Sequence, residues 1–187
     1  MSYFPAYVRP ARPGDAQSLA ALMEPARRTA LEASMAAPPE SCLPLFQDLS
    51  ADCCLAIVDD EVGPIGLFGA SPHPAAPDLG LVWLVATERL ATRHHRIFLR
   101  QCARWIEHML ERYPVLFNLA PEHDTLELRW LKWCGFEFIL GYDSYGPTSE
   151  PHVLFARARD DAARGQHDLL FTEGPFAYLP DADQAVG

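Results

Sequence analysis

Val115-Leu116-Phe117-Asn118-Leu119 is a short unbroken apolar run, and Pro121-Glu122-His123-Asp124 after it carries the signals of a helix start. Leu126, Trp130, Leu131 and Cys134 mark an apolar side at helical spacing, and Gly135 stands where a helix takes its C-terminal cap. Phe136-Glu137-Phe138-Ile139-Leu140 then returns to strand chemistry. Buried strand, capped helix and strand form one α/β unit, and the rest of the chain is organised around it.

Upstream, the segment from Ala91 to Tyr113 contains neither Gly nor Pro. Its Phe98, Cys102, Trp105, Ile106, Met109 and Tyr113 recur at helical spacing, which predicts a long helix ended by Pro114. Leu79-Gly80-Leu81-Val82-Trp83-Leu84-Val85 lacks alternation and reads as a central strand buried on both faces. Cys53 to Val58 and Ile65 to Ala70, joined by Asp59-Asp60-Glu61-Val62-Gly63, read as a hairpin; Ser71 to Pro77 reads as a proline-rich connection. Tyr7-Val8-Arg9-Pro10 predicts an edge strand, followed by a helix over Ala16 to Met23 with Asp15 as its N-cap. One or two short helices are expected between Pro25 and Leu49. A closing strand pair is expected at Phe136 to Leu140 and His152 to Ala156, across a loop from Asp143 to Pro151. After Arg157 the pattern stops. The expected organisation is one domain over residues 1–157 and a tail over 158–187, disordered or docked through its apolar islands Leu169-Leu170-Phe171 and Phe176-Ala177-Tyr178-Leu179.

Composition narrows the function classes. The chain has 187 residues, 49% of them hydrophobic, and a net charge of −10, which disfavours a broad electrostatic grip on nucleic acid or an anionic membrane. The N-terminus shows no basic region leading into an apolar run, and the longest uncharged stretch is broken by Gly and Pro, so a soluble protein is expected. Five cysteines without a CxxC pair fit buried thiols in a reducing, cytoplasmic compartment, and no metal site is expected. Lys132 is the single Lys; every other cation is Arg, which fits either a GC-rich genome or selection for planar recognition of carboxylate and phosphate.

With its strand, helix and terminal Gly135-Phe136, and with the opening Val8-Arg9-Pro10-Ala11-Arg12-Pro13-Gly14-Asp15, the chain resembles the GNAT (Gcn5-related N-acetyltransferase) fold over residues 6 to 157. The resemblance implies an α/β architecture: a mixed central sheet flanked by helices, here with an irregular C-terminal tail. It also implies acetyl-CoA as cofactor. A narrower similarity is to phage internal virion protein A-type proteins, carried by Glu111-Arg112-Tyr113, Phe117-Asn118 and Trp130-Leu131-Lys132. That likeness implies a role in virion morphogenesis or another binding role, with phage or virion proteins as partners, in the host cytoplasm or the virion; it leaves a homo-oligomer open.

Set on the GNAT pattern, cofactor contacts fall to Val85, Thr87, Arg93, His94, His95, Arg96 and Asp124. The family cradles a pyrophosphate on bare backbone amides at the start of the long helix, where glycines let the phosphates approach. Here the two glycine positions hold Arg96 and Phe98, so bulky side chains stand at that cradle. The family's acid, a Tyr four residues before the terminal Gly, is replaced by Leu131, which has no proton to give. Arg89, Arg93, Arg96, Arg100 and Arg104 recur on one helical face. They read either as an anion site that replaces the lost cradle or as a solvated face. His123, between Glu122 and Asp124, is a candidate base or a solvent-facing residue at a helix start. Two functions follow: a binding protein on a degenerate acyltransferase scaffold, or an acetyl-CoA-dependent N-acetyltransferase.

Overall fold

The computed structural model describes residues 8–50 and 53–179. Tyr7 of the expected first strand and the end of the tail lie outside them. Seven strands form one sheet in the order β1-β2-β3-β4-β5-β7-β6. They are β1 (Val8–Pro10), β2 (Cys54–Asp59), β3 (Gly63–His73), β4 (Ala76–Ala86), β5 (Val115–Pro121), β6 (Glu137–Tyr145) and β7 (Glu150–Ala158). Every pairing is antiparallel except β4 with β5. That parallel pair needs a crossover, and the long helix α4 (His95–Arg112) supplies it.

Helices α1 (Asp15–Leu22), α2 (Pro25–Met35) and α3 (Pro39–Leu49) precede β2. Leu19 of α1 and Leu43 of α3 pack with Ala56 and Leu67 on one face of the first half-sheet. On the opposite face α4 lays down Phe98, Cys102, Trp105, Ile106 and Met109. It is joined there by Leu131 and Cys134 of and just after α5 (Thr125–Trp133). Beyond β7, α6 (Asp161–Gln166), α7 (Asp168–Thr172) and a final 3-10 turn (Pro175–Tyr178) bury Ala163, Leu170 and Phe171 against Leu79, Val115, Phe117 and Leu154. The described part of the tail is therefore docked on the second half-sheet, through apolar surface that would otherwise face water.

Several local expectations are corrected. Asp15 opens α1 rather than capping it: Gly14, at φ 92°, is the cap residue, and the Asp15 carboxylate accepts from the Arg12 amide (2.7 Å) and from Arg9 (2.6 Å). The segment Ser71 to Pro77 is mostly strand, because β3 runs to His73 and β4 starts at Ala76 around a tight turn. The closing hairpin is longer than its apolar cores suggested; β6 and β7 extend to Tyr145 and Glu150, held by strand pairing and by the Tyr142 and Tyr145 rings against Phe176. Leu126 and Trp133 of α5 are 76% and 58% exposed, since the helix turns Leu131 inward and those two outward. All five cysteines are buried, and none of them forms a disulfide.

Candidate functional site

The parallel pair β4 and β5 is short: Leu79 faces Val115, Gly80 faces Leu116 and Leu81 faces Phe117. The closed end is tight, since a Cβ on Gly80 would lie 2.7 Å from the Tyr113 ring. After Leu81 the strands part. β4 continues along β3 as far as Ala86, while β5 continues along β7 as far as Pro121.

The parting has a local cause. Asn118 donates from Nδ2 to the Val82 carbonyl (2.8 Å) and accepts the Leu119 amide on Oδ1 (2.8 Å). A side-chain amide thus stands where a backbone ladder would run, and it satisfies the Val82 carbonyl that the opening would orphan. The remaining β4 edge toward β5 makes no strand pairing among the described residues, which leaves a wedge open between the two strands.

Two helix starts flank this wedge. On the β4 side Thr87 ends the strand, and a π-helical turn over Leu90–His94 leads into α4. Thr87 is buried, and both its amide (2.9 Å) and its hydroxyl (3.2 Å) donate to the Ile65 carbonyl, so its hydroxyl is spent on β3. Val85 pairs with Leu67 and packs half-buried on the α1 and α3 face.

The cations of this mouth whose side chains are described are already matched. Arg89 Nε donates to Asp59 (2.8 Å), and its guanidinium also pairs with Glu61. Arg93 pairs with Glu61 (2.7 Å), and His94 Nε2 lies 3.2 Å from Asp59. The Asp59 side chain is 4% exposed, and the Arg89 guanidinium, then the Glu61 amide, hold its carboxyl far below the ordinary carboxylate range. Arg93, then Arg89, lowers Glu61 as well. A third carboxylate, Glu24, accepts the Glu88 amide at 3.1 Å at the start of the turn. Leu22, Glu24, Val62, Thr87, Glu88 and Arg93 border an open pocket of about 370 Å³ beside it.

The bulk expected at the mouth is partly redirected. Phe98 turns inward, 8% exposed, and stacks on Trp130 (5.6 Å) and against Trp105 (5.3 Å). The side chains of His95, Arg96 and Arg100 lie outside the described residues.

On the β5 side Asp124 caps α5, its carboxylate accepting the Glu127 amide (2.9 Å). His123 is exposed on the connecting turn. Thr87, Arg93 and His94 therefore gather on one side of the wedge, with Asp124 and His123 on the other. Leu131 is buried, 2% exposed, in the core between α5 and the sheet.

Sequence reasoning missed four carboxylates of the site: Glu24, Asp59, Glu61 and Glu127. The first three come from segments that read only as a helix boundary and a turn. They reach Glu88, Arg89 and Arg93, just ahead of α4, across 28 to 64 residues, which no local periodicity reports. Among the described residues no group of three or more His, Cys, Asp or Glu is placed to hold a metal ion, and no helix is long and apolar enough to cross a membrane.

The strand order, the single parallel pair and its splayed end place the architecture. The fold is that of the GNAT acetyltransferases. A ribosomal-protein-S5-alanine acetyltransferase from Vibrio fischeri superposes with a TM-score of 0.60 at 18% identity, covering 82% of this chain and 93% of that one. A ribosomal-protein-alanine N-acetyltransferase from Brucella melitensis gives 0.62 at 16%, covering 81% and 98%. A GNAT superfamily phosphinothricin acetyltransferase from Sinorhizobium meliloti, solved with AcCoA, gives 0.61 at 13%, covering 81% and 86%. No family model matches the sequence, and no curated protein does. Among these comparisons the GNAT likeness thus rests on shape, at identities of 13% to 18%.

Proposed function

We propose that this chain is an acetyl-CoA-dependent N-acetyltransferase acting on an amine. The observation that carries the reading is the wedge held open by Asn118 beside the start of α4. Beyond Val82, whose carbonyl Asn118 takes, the β4 edge from Trp83 to Ala86 offers backbone donors and acceptors to an extended, amide-bearing chain, which is the chemistry of the pantetheine arm. Phe98, turned into the core, leaves the mouth it was expected to fill, and Arg93, 52% exposed, is the cation there best able to change partner. The residues present therefore fit the cofactor. Val85 and the β4 edge would hold its arm, and Arg89 and Arg93 would face its phosphates.

Acetyl-CoA supplies an activated acetyl thioester when bound. The chain's part is to hold the acetyl carbonyl in the wedge, bring the amine within attack distance and manage the proton. The neighbours that act on ribosomal-protein alanine and on phosphinothricin support an amine as acceptor. A test is the release of free thiol from acetyl-CoA by the full chain, offered a panel of amines that includes alanyl peptides and polyamines. Amine-dependent release supports the reading, and absence of release with every amine contradicts it.

A second reading, a binding protein on the same scaffold such as a phage virion-morphogenesis protein, draws support from the mouth. Glu24 already occupies the Glu88 amide, Asp59 and Glu61 already occupy Arg89 and Arg93, and Leu131 gives no acid. It predicts partner-dependent assembly without affinity for acetyl-CoA.

A further inference from the structure

α5 carries an inverted side chain. Leu131, 2% exposed, and Cys134 face the core; Trp130 stacks on Phe98, and Leu128 packs beside it against the same cluster as Leu84 and Ala86 of the free half of β4. Positions 127, 131 and 134 repeat at four and three residues, so Glu127 stands on the inward stripe, one turn nearer the open end of the wedge than Leu131. The outward positions hold Leu126 and Trp133, both exposed. A carboxyl thus occupies an inward place while apolar residues face water. Helix stability does not ask for that exchange.

Glu127 is half-buried, and its carboxyl has no hydrogen bond or ion pair among the described residues. Burial, then the Asp124 carboxylate on the preceding turn, pushes its proton affinity up. Of the charged groups on the elements around it, Arg93 and His94 are engaged by Asp59 and Glu61, and the side chains of His95 and Arg96 lie outside the described residues. Asp124 is the described charge that bears on it. An unpaired, partly desolvated carboxyl on the inward stripe of α5, near the open end of the wedge, is costly unless it has work there.

Resting on the acetyl-transfer reading above, we propose that Glu127 is the acid–base residue of the transfer, in the role that Leu131 cannot fill. The acceptor nitrogen attacks the thioester carbonyl carbon; the C–N bond forms and the C–S bond breaks. The proton lost by nitrogen passes to the Glu127 carboxylate, and the same carboxyl hands it to the departing sulfur. Protons and charge balance without another reactant, and Glu127 ends as it began.

The test uses the full chain as wild type, Glu127→Gln and Glu127→Asp. It reads transfer from about pH 5 to about pH 9, calorimetric affinity for CoA, and melting temperature without ligand. With Gln, transfer is expected to fall about 10²–10⁴-fold and its acid limb to vanish, while CoA affinity stays within about twofold and Asp retains part of the rate. The folded-state proton affinity of Glu127 is raised, so its stabilising contribution is complete below the ordinary glutamate value of 4.5 and is lost as pH rises through the folded value. Glu127→Gln is therefore expected to melt at or above wild type near pH 7, with the difference closing near pH 4. A Gln variant that keeps the full rate and profile overturns the role of Glu127 and leaves the transfer reading standing. One that melts lower, or loses CoA binding in step with rate, makes the carboxyl structural or ligand-holding and overturns it too. Wild type without affinity for CoA overturns the transfer reading itself, and this role falls with it.

Discussion

The two helix starts that face each other across the wedge solve opposite electrostatic problems. At α4, Arg89, Arg93 and His94 are met by Asp59 and Glu61, and the first amide of the turn is met by Glu24. At α5, the Asp124 cap serves the backbone alone, and Glu127 is left on the inward stripe without a counter-charge among the described residues. A saturated mouth is stable at rest and must exchange partners to take an anion. An unsaturated wall keeps a carboxyl able to take up and give back a proton, and it lowers stability to do so. On the proposed transfer, binding would fall to the first helix and proton handling to the second.

The largest expected effect breaks the second half of that contrast. Glu127→Gln lowers transfer by about 10²–10⁴-fold without loss of stability, which a pH–rate profile and a melting curve read together. Next comes the spacer between the helices. Asn118→Leu leaves the Val82 carbonyl and the Leu119 amide without their side-chain partner, at a cost of about 1–3 kcal/mol in denaturant unfolding.

Asp59→Asn then tests the first half. The carboxyl of Asp59 is depressed in the folded state, so its contribution is present above the ordinary carboxylate value and is lost as pH falls through the folded one. The variant is expected to melt below wild type at neutral pH, with the gap narrowing only under strongly acid conditions. Equal melting curves across pH would mean that Arg89 and His94 are held by something else.

The smallest effect is the sharpest about binding. Glu61 is largely exposed, so Glu61→Gln should leave stability almost unchanged while freeing Arg93. CoA affinity is expected to rise about 2–5-fold at low salt, and the gain to fade as salt screens the site. Calorimetric titration at two ionic strengths checks it.

How much of this the sequence discloses differs between the two helices. The α5 unit was legible: Asp124 as cap, Gly135 at φ 84° after the helix, and Phe117-Asn118 in the strand before it are local signals with local causes. Its misreading, Leu126 on the apolar side, comes from counting apolar residues without fixing which face turns inward. Glu127 was hidden by that same error, because a glutamate in the first turn of a helix looks ordinary. At the start of α4 the Arg periodicity was visible, but the fate of Arg89 and Arg93 was set by Asp59 and Glu61 on the β2–β3 turn, and that of the Glu88 amide by Glu24 after α1. Long-range pairing of this kind leaves no mark at helical spacing. Phe98 teaches the same point in reverse: a bulky residue at a glycine position is harmless to the mouth once Trp105 and Trp130 give it a place in the core.

The central claim is that the wedge between β4 and β5 is a cofactor site. Calorimetric titration of the full chain with acetyl-CoA tests it most directly. A dissociation constant in about the micromolar range, weakened by Arg93→Ala, is the predicted result, and absence of heat or thermal shift at about millimolar acetyl-CoA would contradict it.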